Sequence, residues 1–127
     1  MKNLIISTAC LLMLMIPWFL YDNYSGGMIK DYNNIIEKKV IPAIENGDWD
    51  TAEREYGRFA KDWEKFKAVS EYFLDAKTIN EANELINKTK YHILMHDPSN
   101  AAAGSSELMH LLNYLHENEM LSPENIF

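Results

Sequence analysis

The pattern of apolar and polar positions divides the chain into a short first part and a longer second part. Residues 4–21 form an uncharged, mostly apolar run between Lys2 and Asp22. As a helix, this run rises about 27 Å, which is close to the hydrocarbon thickness of a bilayer. The residues that follow are more polar and carry apolar side chains at helical spacing. The pattern therefore predicts a membrane segment and joint at residues 1–27, followed by a helical body at residues 28–127.

Three interpretations of the N-terminal segment compete: an uncleaved anchor, a cleaved signal peptide and a lipoprotein. Ser25-Gly26-Gly27 supplies small residues for a cleavage site, but bulky side chains at positions 18–21 occupy a region that is usually small and polar. Cys10 lies inside the apolar run, whereas a lipid-carrying cysteine follows it. We favour an uncleaved anchor that contacts the lipid bilayer through residues 4–21, with Gly26-Gly27 as a flexible joint.

The charges beside the apolar segment predict its orientation. Lys2 and the terminal amine precede it, while Asp22 follows it and no basic residue occurs before Lys30. The positive-inside rule then predicts a single-pass protein of the cell membrane, with a cytoplasmic N-terminus and an extracytoplasmic body. Trp18 and Tyr21 lie near the distal end, where amphipathic rings favour the membrane interface.

Helical spacing of the apolar residues predicts four helices in the body. The segments are about 28–46, a second beginning near Trp49, about 72–96, and a fourth beginning at Pro98. Pro42 predicts a kink or an early end of the first of these. Since short connections make sequential helices antiparallel neighbours, the expected fold is an all-α, up-down bundle.

Two sites carry the residues that usually separate helices. Gly47 suits the left-handed position after a helix, and Asp48 can cap the next helix. Asp97-Pro98 places a capping carboxylate before a proline at the first helical position. Both sites predict tight turns.

The second helix carries the clearest pattern, an aromatic stripe at alternating three- and four-residue steps. Such a stripe could line a ligand groove, but large aromatic surfaces at this spacing are typical of a buried core, which is our interpretation. The positions are Trp49, Ala52, Tyr56, Phe59, Trp63, Phe66 and Phe73.

The charge and cysteine content exclude some classes of protein. The chain has 12 Lys or Arg against 19 Asp or Glu, a net charge of −7, so a nucleic-acid-binding role is disfavoured. An acidic body is also repelled by anionic lipid and should not lie flat on a membrane. Cys10 is the only cysteine, so the body must be stabilised by packing without a disulfide.

One histidine pair has the spacing of metal ligands. His92 and His96 are four residues apart on one helical face, and Glu107 on the next helix is a conceivable third ligand. The competing interpretation is that these histidines flank the core near a helix end. The only Glu-x-x-His pair is Glu107 with His110, one short of a di-metal carboxylate site. No set of residues suggests an acid, base or nucleophile together, so we expect neither an enzyme nor a cofactor.

The C-terminal tail ends in apolar residues. Ser122-Pro123 is expected to end the fourth helix, which leaves Ile126 and Phe127 near the tip of a short tail. Together with Leu121, these residues could contact a partner or fold back as a cap on the bundle.

Two resemblances can be traced to particular residues. The run from Asn46 to Ala52 resembles the turn of a tetratricopeptide repeat, but it occurs once and does not support an array. Over nearly its full length the chain is similar to a bacterial family known as domain of unknown function 4363. The carrying residues are Gly47-Asp48-Trp49 with Ala52, Trp63, Asp97-Pro98, and the ending Leu121-Ser122-Pro123-Glu124-Asn125-Ile126-Phe127.

The second resemblance implies a Gram-positive source, an anchored helical protein and no established catalytic residues. It also hints at a multi-pass membrane protein as partner. We therefore hypothesise an extracytoplasmic interaction or accessory module for a membrane partner. The alternative is a small-ligand or metal sensor that uses the His92 and His96 pair at a helix end.

Overall fold

The computed structural model describes residues 1–118, and throughout them the secondary structure is helical, without a strand. This confirms the predicted all-α class. The elements are α1 (Lys2–Ile35), a π-helical turn (Ile36–Val40), α2 (Ile41–Glu45), α3 (Trp49–Ser70), α4 (Ala76–Leu94) and α5 (Pro98–Asn118). Because α1, the π-helical turn and α2 follow one another without a break, they form one long helix, and the bundle has four helices.

The four helices pack in sequential, antiparallel order, as the sequence predicts. The long N-terminal helix packs against α3, α3 against α4, α4 against α5, and α5 returns to the N-terminal helix. We call the end where α1 enters the bundle the base; it contains residues 18–25, the loop at residues 71–75 and the end of α5. The opposite end, with the turns at residues 46–48 and 95–97, is the tip.

The glycine pair predicted to form a flexible joint is helical, so that part of the prediction is wrong. α1 continues through Gly26 and Gly27 because the residues on either side are held by the bundle: Ser25 and Ile29 are buried. A glycine inside a helix costs about 1 kcal/mol relative to alanine, which tertiary packing of this kind can exceed. No structural break therefore separates the apolar segment from the body.

Pro42 does not end the helix, and the chain adapts just before it. Proline has no N–H to donate to the preceding turn, and its ring crowds that turn. Here the five residues before α2 form the π-helical turn, in which the Ile41 N–H donates to the Ile36 carbonyl. Val40 and Ile36 stay buried through this change of register.

The aromatic stripe forms the core, as predicted, although its last member, Phe73, lies in the loop that follows α3. Tyr56, Phe59, Trp63 and Phe66 are fully buried, while the two ends of the stripe are partly buried. Tyr32 of α1 meets Phe59 edge to face, with ring centroids 5.1 Å apart. Such aromatic pairs contribute about 0.5–1.5 kcal/mol beyond the burial of their area.

The buried phenols in this core are paired with backbone carbonyls. The Tyr56 hydroxyl donates to the Ile86 carbonyl at 2.6 Å, and the Tyr32 hydroxyl donates to the Asp62 carbonyl at 3.1 Å. Burial raises the pKa of both phenols well above the usual range, because the ionised form is not solvated there. Both side chains therefore stay neutral and keep their hydrogen bonds at physiological pH.

α4 and α5 approach each other closely at Gly104. A Cβ at this position would lie 2.5 Å from Thr89 Oγ1 and 3.2 Å from its Cγ2. Thr89 is itself fully buried and, being β-branched, has few alternative rotamers. The contact therefore has no room for a methyl group.

We expect Gly104→Ala to destabilise the protein by about 1–3 kcal/mol, because the added methyl forces α4 and α5 apart. Gly57→Ala is the matched control, since it is an exposed helical glycine with nothing within 4 Å of the added Cβ. That control should stabilise the helix by up to about 1 kcal/mol. Thermal unfolding of both variants in detergent, followed by circular dichroism, measures the difference. Two variants that melt alike would show that the helices separate without penalty.

Candidate interaction surface

The tip of the bundle is built from two turns with the same hydrogen-bond pattern. In the first, the Asp48 N–H donates to the Ala43 carbonyl at 2.8 Å and the Gly47 N–H donates to the Ile44 carbonyl at 3.1 Å. Gly47 has a φ of 71°, the left-handed conformation predicted for it. This is a Schellman ending, which satisfies the last carbonyls of a helix.

The second turn repeats this pattern without a glycine. The Asp97 N–H donates to the His92 carbonyl and the His96 N–H donates to the Ile93 carbonyl, both at 3.0 Å. His96 takes the left-handed position with a φ of 53°. A residue with a Cβ is disfavoured there by roughly 1–2 kcal/mol, so other contacts must offset the strain.

Each turn is followed directly by a helix whose N-terminus is capped by an aspartate. The carboxylate of Asp48 accepts hydrogen bonds from the Thr51 hydroxyl at 2.6 Å and the Thr51 N–H at 3.3 Å. Asp97 accepts the Asn100 amide at 2.7 Å and the Asn100 N–H at 3.2 Å. These bonds lower the pKa of both carboxyl groups, the side-chain bond having the larger effect. The sequence predicts both caps correctly.

A stacked pair of rings joins the two turns. The imidazole of His96 lies parallel to the indole of Trp49, with centroids 4.9 Å apart and 3° between their planes. Its Nε2 lies 3.4 Å from Glu53 Oε1. The start of α3 therefore holds the turn between α4 and α5, and these contacts offset the strain at His96.

Beside this pair, the end of α4 exposes three large apolar side chains. Tyr91, Leu94 and Met95 are 61%, 53% and 62% exposed, and their spacing places them on one helical face. We call these three residues the tip patch. Contiguous exposed apolar surface of this kind is typical of a contact site for another molecule.

The charged residues at the tip of the bundle are acidic. Neither residues 40–53 nor residues 91–106 contain a lysine or arginine, although both segments contain carboxylates. The acidic residues of the tip are Glu45, Asp48, Asp50, Glu53 and Asp97. Exposed apolar side chains and carboxylates at the same end of the bundle are the residue types found in the core and the rim of a protein interface, and the sign of the charge favours a basic partner.

The structure does not bring the predicted metal ligands together as a set. His96 contacts Trp49 and Glu53, whereas Glu107 lines an open groove of about 640 Å³ between α4 and α5, with His110 and Glu84. His92 is half-buried on α4. Within residues 1–118 no group of three or more His, Cys, Asp or Glu side chains could hold a metal ion.

The two residues expected in a membrane interface form part of the base of the bundle. Tyr21 is 3% exposed, stacks on Phe73 with centroids 4.2 Å apart, and donates its hydroxyl to Ser70 Oγ at 2.8 Å. Trp18 is half-buried, with its ring centroid 5.7 Å from that of Phe73. The other predicted contact residues, Leu121, Ile126 and Phe127, lie outside the described part of the chain.

Below the base, α1 extends out of the bundle with its side chains exposed. Residues 1–17 are all exposed. In the described residues one continuous helix, Lys2–Glu45, is long and apolar enough to cross a membrane, with a mean hydropathy of 2.1 in its most apolar window and 6% of that window buried. A membrane anchor and a signal sequence both satisfy these criteria.

Two exposed features were not predicted from the sequence: the tip patch, and Tyr72, which is 87% exposed in the loop between α3 and α4. The available signal was periodicity. The core face of α4 contains the buried residues Ile86 and Ile93. The helical spacing of that face does not include Tyr91, Leu94 and Met95, so these apolar residues are expected on the exposed side of the helix.

The model of the family described as "Domain of unknown function (DUF4363)" matches residues 23–126. No curated protein and no solved structure matches this chain.

We expect Trp49 and His96 to stabilise the tip cooperatively. In a double-mutant cycle with Trp49→Leu and His96→Asn, the coupling free energy should be about 0.5–1.5 kcal/mol, since each single variant already removes the stacked pair. Asparagine is chosen because it tolerates a positive φ. Denaturant unfolding of the full chain in detergent provides the four stabilities.

The matched control cycle pairs Trp49→Leu with His92→Asn, because His92 lies one turn earlier, on α4, and the described part of the chain shows no ring contact between it and Trp49. That cycle should give coupling near zero. Equal coupling in the two cycles would show that the stack does not hold the turns together.

Proposed function

This chain belongs to the DUF4363 family, and we propose that it is a membrane-anchored accessory protein whose helical body binds the extracytoplasmic surface of a membrane partner. The proposed role is non-enzymatic. Its anchor is the apolar part of α1, retained in the mature protein, with the N-terminus in the cytoplasm. The observation that carries the proposal is that the anchor and the bundle share one helix and a common core.

The packing of α1 argues against cleavage of the apolar segment. A cut near Ser25-Gly26-Gly27 would remove Trp18, Tyr21 and Ser25, although Tyr21 and Ser25 are almost completely buried in the bundle. The aromatic surface of Phe73 and the hydroxyl of Ser70 would then lose their partners. Loss of a buried aromatic side chain costs about 3–5 kcal/mol, which is a large fraction of the stability of a domain of this size.

The shared helix also sets the height of the tip above the membrane. From Tyr21 to Glu45 the helix rises roughly 35 Å. The bundle is therefore expected to stand upright, with its base at the bilayer and its tip patch well above the lipid headgroups. This placement suits contact with extracytoplasmic loops of a multi-pass membrane protein.

The chemistry of the tip indicates the kind of surface that it binds. Tyr91, Leu94 and Met95 supply apolar contact area, and the carboxylates at the same end of the bundle include Glu45 and Asp50, for which the structure shows no salt bridge among the described residues. A partner surface with an apolar centre and lysine or arginine at its rim is complementary to this tip.

We expect the protein extracted from membranes to retain its N-terminus. Intact-mass measurement should give the full chain, whereas a mature chain beginning at Met28 would contradict the anchor. In the same preparation, Tyr21→Ala should lower the melting temperature strongly, because it removes the stack on Phe73 and the bond to Ser70. Phe19→Ala is the control, since this neighbouring side chain is 60% exposed and should have little effect on bundle stability.

We expect a photo-reactive benzoylphenylalanine at Met95 to crosslink to one membrane protein in native membranes. The same probe at Lys88, an exposed position in the groove between α4 and α5, should not give this adduct. Glu45→Gln with Asp50→Asn should reduce the adduct severalfold, because it removes charge attraction at the rim. Glu84→Gln with Glu107→Gln is the charge-matched control.

The identity of the adduct decides the result. The proposal requires a protein with basic extracytoplasmic residues near the crosslinked position. An adduct that persists equally in both double variants, or that forms equally from Lys88, would overturn the assignment of the tip as the contact surface.

A further inference from the structure

We propose that the loop between α3 and α4, residues 71–75, is a second membrane contact, in which Tyr72 inserts into the lipid headgroup region. This inference rests on the proposed membrane anchor. It adds an interaction surface on the folded body, distant in sequence from the apolar segment. The partner that fits it is a lipid surface.

The position of the loop follows from its contacts with α1. Phe73 stacks on Tyr21 at 4.2 Å and lies 5.7 Å from Trp18, measured between ring centroids. Trp18 and Tyr21 are near the end of the uncharged run, residues 4–21, and residues 1–17 protrude from the bundle. If that run spans the bilayer, its distal end lies at the interface, and the loop lies at the same level.

Within the loop, Tyr72 is an exposed aromatic residue, whereas the two residues that follow it pack inward. Leu74 is buried and Phe73 is half-buried against α1, while Tyr72 is 87% exposed. The turn is held by backbone bonds, in which the N–H groups of Phe73 and Leu74 both donate to the Ser70 carbonyl. A tight turn with a packed neighbour on its C-terminal side leaves the Tyr72 ring little chance to fold back onto the core.

The chemistry of Tyr72 suits the lipid interface. Its ring is apolar and its hydroxyl is polar, the combination that concentrates tyrosine and tryptophan at bilayer boundaries. Val69, one turn earlier on α3, is 40% exposed and adds apolar surface beside the loop. On α1, Phe19 and Leu20 are 60% and 66% exposed near the same level.

The charged residues near the loop in the sequence are mixed in sign. Glu71 and Asp75 are the end residues of the loop and Asp22 follows the apolar run, while Lys67 and Lys77 are the nearest basic residues in the sequence. This mixture provides no basic patch for anionic headgroups. The contact should therefore be insensitive to salt and to the fraction of anionic lipid.

The test measures depth with single-cysteine forms of the full chain in nanodiscs of phosphatidylcholine and phosphatidylglycerol. The native Cys10, exposed within the apolar run, reports on the span. Cys10→Ser combined with Tyr72→Cys reports on the loop, and Cys10→Ser with Tyr91→Cys reports on the tip. Each cysteine carries a nitrobenzoxadiazole fluorophore, and nitroxides attached to the lipid headgroup or acyl chain quench it.

We expect quenching by the acyl-chain nitroxide at Cys10 and strong quenching by the headgroup nitroxide at position 72. Quenching at position 91 should be severalfold weaker. Quenching at Cys10 with equal, weak quenching at positions 72 and 91 would overturn the loop contact and leave the anchor standing. Absence of quenching at Cys10 would overturn the anchor, and the loop contact with it. Tyr91 is a matched control because it is also an exposed tyrosine.

A second set of variants tests Tyr72 itself, since the fluorophore replaces it in the first experiment. The fluorophore is placed at Asp75, also exposed in the loop, with either Tyr72 or Tyr72→Ser. Headgroup quenching at position 75 should fall severalfold in Tyr72→Ser and should not change between low and high salt. Equal quenching with tyrosine and serine would overturn the role of Tyr72.

Discussion

The packing of Tyr21 against Phe73, Phe66 and Ser70 is the interaction on which the rest of this structure depends. It joins the last turn of the apolar segment to the bundle through a stacked ring and a buried hydroxyl pair. Because α1 is continuous on both sides of this contact, the apolar segment and the bundle share one helix. A chain joined to its anchor by a flexible linker would place no constraint on how the body faces the membrane.

Different side chains fill the interfaces between different pairs of helices. Large aromatic rings fill the space between the N-terminal helix and α3, where Tyr32 meets both Phe59 and Phe66. Between α4 and α5, Gly104 instead lets the backbones approach closely over Thr89. The aromatic interface and the close glycine contact both contribute to the packing of the four helices. At the tip, the stack of His96 on Trp49 joins the two turns.

Features governed by local rules were predictable from the sequence. Gly47, Asp48 and Asp97 act through residues at most five positions away, and the aromatic stripe of α3 follows one helical period. The interpretation of Gly26-Gly27 as a joint failed because helix propensity is local, whereas the contacts that hold this segment come from α3 and α5. The stack of His96 on Trp49 joins turns that are nearly fifty residues apart, so no spacing rule could identify it. The candidate site at the tip depends on that juxtaposition and became visible only in the fold.

A continuous helix from the apolar segment to the tip also makes the molecule a lever. Nothing in the described chain between Tyr21 and Glu45 is a loop; the one irregularity is the π-helical turn, whose residues remain helical and partly buried. A tilt of α1 by about 10° would therefore displace the tip sideways by about 6 Å over an arm of about 35 Å. If the apolar segment spans a bilayer, as proposed, and the thickness of that bilayer changes the tilt of the helix, the lateral position of the tip would change with membrane thickness.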